Sequence, residues 1–180
     1  MNRREVLRIL GSAAVLPVLA PFSPDQRLAI GRALHARLAG QSLRTLNAHQ
    51  NATVARIADL IIPETDTPGA ASVKVNEFID LLLAEWYEPA DRNRMLAGLA
   101  AIDARSRETH GVLFVELSTL DQTALLESLD GASGPAGSAE DAFATLKDLT
   151  VYGYFTSELV MKDVLRHPVI PGRHDGCVPV

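Results

Sequence analysis

The chain holds one cysteine and five histidines, and only His174-Asp-Gly-Cys177 brings the two residue types close together in sequence. A thiolate beside an imidazole is the nucleophile arrangement of cysteine hydrolases, so one reading is a self-sufficient exported hydrolase using Cys177 and His174. Such pairs are normally assembled on a rigid scaffold from parts distant in sequence, whereas both residues here lie on a Pro/Gly-rich tail. A partner-facing segment fits that tail better. His35, His49, His110 and His167 each fall in or at the end of an expected helix without a second ligand four residues away. Surface positions or helix C-terminal capping are expected of them, not metal binding. Asp59, Glu64 and Asp66 gather around Pro63, where carboxylates serve as caps and turn residues more readily than as an acid–base pair. A lone cysteine excludes a disulfide framework, a four-thiolate cluster and a Cys-x-x-Cys redox pair. Nor does the sequence contain Gly-x-Gly-x-x-Gly, a phosphate loop, His-Glu-x-x-His or Gly-x-Ser-x-Gly. No catalytic, cofactor-binding or metal-binding residue is expected in this chain.

The clearest functional signal is at the N-terminus. Arg3-Arg4, followed by Glu5, Val6, Leu7 and Arg8, matches the twin-arginine pattern, and the apolar run over residues 9–20 is too short to span a bilayer. Arg3, Arg4, Val6 and Leu7 are read as the export signal within residues 1–20, which places the protein in the periplasm. Val18-Leu-Ala20 offers small residues at the positions a signal peptidase inspects, but Pro21 would follow the scissile bond and opposes cleavage. Membrane association would then be indirect or through an uncleaved signal. The whole chain has a net charge of −5; without residues 1–20 it loses three arginines and one glutamate and stands at −7. That sign disfavours nucleic-acid binding.

These features require a scaffold, and the composition points to helices. Of 180 residues, 47% are hydrophobic, and Leu and Ala, at 25 each, outnumber the β-branched and aromatic residues. The expectation is all-α: one compact domain of about five core helices over residues 45–180, with an extended tail from residue 168. Residues 21–44 read as a linker or a weak helix. The first core helix runs from Thr45 to a stop at Pro63, with Leu46, Val54, Ile57 and Ile61 in helical register. The second covers residues 75–88, with Phe78, Ile79, Leu82, Leu83 and Trp86 inward and Pro89 closing it. Asp91 caps a third that ends at His110-Gly111, and a Ser118/Asp121 capping box opens a fourth ending near Gly131. Residues 131–138 form an exposed Gly/Ser/Ala loop. The last stretch, from Glu140 to about His167, is a long helix or a pair broken near Gly153.

Two segments suit contact with another protein. The loop after Pro63 has its backbone restricted by Pro63 and Pro68, so Thr65, Asp66, Pro68 and Gly69 lose little entropy on docking. Tyr152, Tyr154 and Phe155 are helical neighbours that cannot all point into one small core, which leaves at least one for another surface.

Taken in order, the twin-arginine signal, residues 57–70 with Ile62-Pro-Glu-Thr-Asp-Thr-Pro-Gly69, residues 75–79 with Phe78, Tyr152-Gly-Tyr-Phe-Thr-Ser-Glu158 and Gly176-Cys-Val-Pro179 resemble the gluconate 2-dehydrogenase subunit 3 family. These are the small, gamma subunits of membrane-associated sugar dehydrogenases. The resemblance covers most of residues 45–180. It implies a helical companion of a large FAD-dependent flavoprotein of the glucose-methanol-choline type, needed for folding or export of that catalytic subunit. It further implies that FAD sits in the partner and that a multihaem cytochrome c subunit accepts the electrons. In that setting an exported, solitary Cys177 is the candidate for a disulfide between the two subunits.

Overall fold

The computed structural model describes residues 19–38 and 42–166. The signal residues Arg3, Arg4, Val6 and Leu7, together with His167, His174, Cys177 and the tail from residue 168, lie outside the described residues. Among the described residues there is no strand. Six α-helices follow one another: α1 (Pro24–His35), α2 (Ala48–Ile61), α3 (Val75–Glu85), α4 (Pro89–His110), α5 (Thr119–Leu129) and α6 (Ala139–Thr156). Short 3₁₀ turns lie at Ala71–Val73 and Phe114–Glu116, and a π-helical turn at Val160–Val164. The all-helical expectation holds for these residues.

Local chemistry sets most of the helix starts. Ser23 and Asn47 each accept from the backbone N–H three residues on, while Gln26 and Gln50 reach back to the cap N–H, so α1 and α2 open on complete capping boxes. Ser118 and Ser138 cap α5 and α6 through their hydroxyls. The expected Ser118/Asp121 box is half formed: Ser118 Oγ accepts from the Asp121 N–H at 3.2 Å, but the Asp121 carboxylate takes the Ser118 hydroxyl at 2.7 Å instead of the cap N–H. Gly111, at φ +80°, ends α4 in the left-handed region that a Cβ disfavours.

Several boundaries differ from the sequence reading. The stretch over residues 21–44, read as a linker or a weak helix, contains α1, which places Leu34 in the core and adds a sixth helix to the expected five. The first core helix begins at Ala48, not Thr45, because Arg44, Thr45 and Leu46 spend their backbone N–H groups on Asp80. Pro89 does not close the second helix: α3 ends at Glu85, and Pro89 opens α4 at its first position, where no N–H is needed. Asp91 therefore lies in the first turn of α4, not at its cap. Trp86 ends up half-buried at the C-cap of α3, edge-on to Phe22 at 5.9 Å. The last helix runs unbroken through Gly153 and stops at Ser157, whose hydroxyl and N–H both turn back to the Tyr154 carbonyl.

α6 is the axis of the fold and touches each of the other five helices. It buries Phe143, Leu146, Leu149 and Tyr152, and two of its close crossings depend on small residues. A Cβ on Gly98 of α4 would stand 2.4 Å from the Ala142 methyl, and one on Gly153 would stand 2.8 Å from the Phe78 ring. That space admits Phe78 of α3, fully buried, beneath α6, with Tyr152 edge-on at 5.5 Å. His35 of α1 stacks on the same Phe78 ring at 4.6 Å and places Nε2 2.6 Å from the Gly153 carbonyl.

A buried carboxylate fixes the chain between α1 and α2. Asp80, 3% exposed, accepts N–H groups of Arg44, Thr45 and Leu46 at 2.7–2.9 Å. These bonds account for the carboxylate's lone pairs and keep it from being an uncompensated buried charge. One turn on, Glu85 receives both Arg37 and Arg44. Glu85 is held below the usual carboxylate range, chiefly by its bond to Arg37, against a smaller opposing effect of burial.

The crossing at Gly153 has a measurable consequence. Gly153→Ala gains helix propensity worth about 1 kcal/mol but forces the Phe78 ring, and His35 stacked on it, to move. Overpacking of this kind costs about 1–3 kcal/mol, so the urea midpoint should fall. A midpoint raised by the substitution would show that Phe78 yields freely.

Candidate functional site

The loop between α2 and the turn Ala71–Val73 is the most constrained exposed segment of the fold. Pro63 cannot continue α2, and the Ile62 N–H makes the last helical bond, to the Ala58 carbonyl. Ala70 N–H donates to the Ile62 carbonyl at 2.9 Å and closes the loop at its base. Within it, Thr65 N–H donates to the Thr67 carbonyl at 3.1 Å, and Thr65 Oγ1 donates to Asp66 Oδ1 at 3.1 Å. Ser72 Oγ donates to Glu64 Oε2 at 3.0 Å. Gly69 is required by contact: a Cβ there would lie 2.6 Å from the Glu64 backbone nitrogen. Residues 63–67 are exposed, Pro68 is half-buried, and Gly69 and Ala70 are buried.

The loop is fastened to α6 by one of the aromatic residues singled out in the sequence. Tyr154 is 4% exposed, and its hydroxyl donates to the Pro68 carbonyl at 2.7 Å. Burial pushes the Tyr154 phenol up, against a smaller opposing hydrogen bond with Thr67. The two candidate contact segments are therefore one unit. Tyr152 is 1% exposed and donates its hydroxyl to the Arg27 carbonyl at 2.6 Å, so its polar end is used inside the fold. Phe155 is the residue of the three left half-buried, edge-on to Tyr154 at 5.2 Å. Thr65, Asp66 and Phe155 thus remain presented to solvent around a buried Tyr154, while Pro68 and Gly69 form the loop's inner side.

A groove of about 790 Å³ lies between α1, the turn Ala71–Val73 and the end of α6. Its lining includes Ala29, Ala33 and Leu159, with Arg32, Lys74 and Glu158 among the charged residues. The polar side chains best suited to chemistry there are already engaged. Thr156 and Ser157 donate their hydroxyls to the carbonyls of Tyr152 and Tyr154, both at 2.8 Å, and His35 Nε2 faces the Gly153 carbonyl. Burial pushes the His35 imidazole down, with the Gly153 carbonyl opposing.

The histidines are the least anticipated part of the structure. His35 is half-buried at the end of α1, stacked on Phe78, and its Nε2 faces the Gly153 carbonyl in the last turn of α6 instead of its own helix end. His49 Nε2 lies 2.6 Å from Asp103 Oδ2, while Asp103 Oδ1 accepts the Phe114 N–H at 3.2 Å. That carboxylate joins α2, α4 and the turn before α5. A helical i, i+4 search for ligands does not find such a pair, because its members are 54 positions apart. His110 is exposed in the last turn of α4, in line with the expected surface or C-terminal position. The carboxylates near Pro63 take local roles: Asp59 pairs with Arg56 at 3.2 Å, and Glu64 and Asp66 with the hydroxyls named above. Among the described residues no group of three or more His, Cys, Asp or Glu is placed to hold a metal ion, and no helix is long and apolar enough to cross a membrane.

The bond from Tyr154 to Pro68 is testable on the isolated chain. Tyr154→Phe keeps the ring and removes the donor, leaving the Pro68 carbonyl without it at a cost of about 1–3 kcal/mol. Amide exchange of residues 64–70 should accelerate while that of α4 and α5 stays unchanged. Unaltered exchange in the loop would mean that its own hydrogen bonds hold it in place.

Residues 48–172 match the family model described as gluconate 2-dehydrogenase subunit 3. No curated protein matches the chain, and no solved structure does. The matched span includes the Pro63 loop and all of α2 to α6, and it excludes α1 and Cys177. On that match over well over half of its length, the chain belongs to the gluconate 2-dehydrogenase subunit 3 family.

Proposed function

We propose that the chain is the non-catalytic small subunit of a periplasmic, FAD-dependent sugar or glycoside dehydrogenase of the glucose-methanol-choline type, supporting the folding, twin-arginine export and stability of the catalytic subunit. The observation that carries this reading is the family membership over residues 48–172, in a fold whose buried polar groups hold helices and turns together. Several buried polar side chains serve the scaffold: Asp80 and Asp103 satisfy backbone N–H groups, and the hydroxyls of Thr156 and Ser157 bond to helix carbonyls. FAD belongs to the partner in this reading, since this chain lacks the Gly-rich fingerprint that cradles a dinucleotide. A cytochrome c subunit would accept the electrons.

The Pro63 loop and Phe155 form the contact face of this reading. A loop fixed by two prolines and by Tyr154 presents Thr65 and Asp66 with little left to order on binding. Half-buried Phe155 supplies the apolar anchor beside it. Cys177, outside the described residues, would bond to a cysteine of the catalytic subunit after export and act as a later lock, because the two chains would first assemble in the reducing cytoplasm.

Replacing both Arg3 and Arg4 by Lys keeps the charge and removes the twin-arginine signature. Periplasmic dehydrogenase activity should then be lost, with the catalytic subunit retained in the cytoplasm on immunoblots of cell fractions. Undiminished activity in the periplasm would overturn the export role.

A further inference from the structure

The folded body extends into the segment where a signal peptidase would cut. Leu19 is 1% exposed and belongs to the hydrophobic core, although it lies within the residues read as export signal. Phe22 N–H donates to the Leu19 carbonyl at 3.1 Å and closes a turn over residues 19–22. Arg27 of α1, 8% exposed, clamps that turn: Nε donates to the Phe22 carbonyl at 2.8 Å and Nη2 to the Ala20 carbonyl at 3.2 Å. The Phe22 ring meets Trp86, and the Arg27 carbonyl accepts the Tyr152 hydroxyl. The turn is therefore joined to α1, α3 and α6 at once.

From this arrangement we infer that the fold shields the Ala20–Pro21 peptide bond and that residues 1–20 stay attached to the folded protein. The carbonyl of Ala20 is the one a peptidase must attack, and it is held by Arg27. Proteolysis requires the segment around the scissile bond to be drawn out in extended form. Here that means breaking both Arg27 bonds and lifting Leu19 out of the core, so susceptibility follows backbone hydrogen bonding and burial, not exposure of the Ala20 and Pro21 side chains alone. The inference rests on the export reading only for its consequence. A twin-arginine substrate meets the peptidase already folded, and a body that keeps its basic and apolar leader remains suited to the membrane surface. It differs from the argument based on Pro21, which concerns the chemistry of one bond in any conformation.

Leader peptidase acting on the purified full chain in detergent separates the two arguments. Pro21→Ala removes the block that proline itself imposes, and a synthetic peptide of residues 1–30 with the same change is the unfolded control. The peptide should be cut after Ala20, and the Pro21→Ala chain should be cut more slowly by at least about tenfold, as expected when cleavage follows the population of an opened form. Adding Arg27→Ala, with helical content checked by circular dichroism, should restore cutting. Equal rates for the Pro21→Ala chain and the peptide would overturn the proposal. So would a folded Pro21→Ala/Arg27→Ala chain that resists cutting while the peptide is cleaved. Export does not enter this assay, so a failure of the export role would show only in the fractionation of the Arg3/Arg4 variant.

Discussion

A helix crossing can be only as close as its bulkiest side chain allows, and at Gly153 the absence of one lets three helices meet. The Phe78 ring stands within 2.8 Å of where a Cβ would be, His35 stacks on the same ring, and the Gly153 carbonyl stands 2.6 Å from the His35 ring nitrogen. α1, α3 and α6 are thereby set relative to one another by one ring and one missing methyl group. The flanking residues carry this outward: Tyr152 ties α6 to α1 through the Arg27 carbonyl, and Tyr154 ties it to the exposed loop through the Pro68 carbonyl. The exposed loop and the core share a turn of helix, so the loop takes its position from the packing beneath it.

Around that crossing, buried carboxylates do what apolar packing cannot, because they accept from backbone donors that no helix satisfies. Asp80 holds the three N–H groups before α2, and Asp103 holds the N–H of Phe114 together with the His49 ring. Gln122 extends the second network, donating to the Phe114 carbonyl at 3.0 Å and accepting from Arg56 at 2.6 Å. Asp80 lies on a helix whose sequence reads as an apolar stripe, while Asp103 opens a charged run of α4 that reads as solvent-facing and is nonetheless buried. Asp80 takes its role from a segment 34–36 positions away, and Asp103 from the Phe114 turn 11 positions on and from His49 of α2.

That difference explains what was legible in the sequence. Apolar periodicity is local, so α2, α3 and the apolar face of α6 could be read from Val54, Ile57, Phe78, Leu82 and Leu146. Proline is directional but ambiguous: in the sequence Pro89 reads as a stop because the apolar run of α3 precedes it, whereas in the fold it starts α4. Gly153 leaves a long helix and a broken pair both open in the sequence, because a glycine costs helix stability and the countervailing benefit, room for Phe78, comes from a residue 75 positions away. Of the two readings of residues 21–44, the helix is the one the structure contains, and the worth of Leu34 depends on the helices it meets. The loop of Thr65, Asp66, Pro68 and Gly69 was readable from its turn chemistry. Its union with Tyr154 was not, because that bond spans 86 positions.

The central claim is that a catalytic subunit is held on the face formed by the Pro63 loop and Phe155. Hydrogen exchange of this chain, free and in complex with the dehydrogenase subunit that co-purifies with it, tests that most directly. Amides of residues 64–69 and 154–156 should gain protection on assembly, beyond any change in α4 and α5. Protection confined to other parts of the surface, with the loop exchanging as it does in the free chain, would contradict the account.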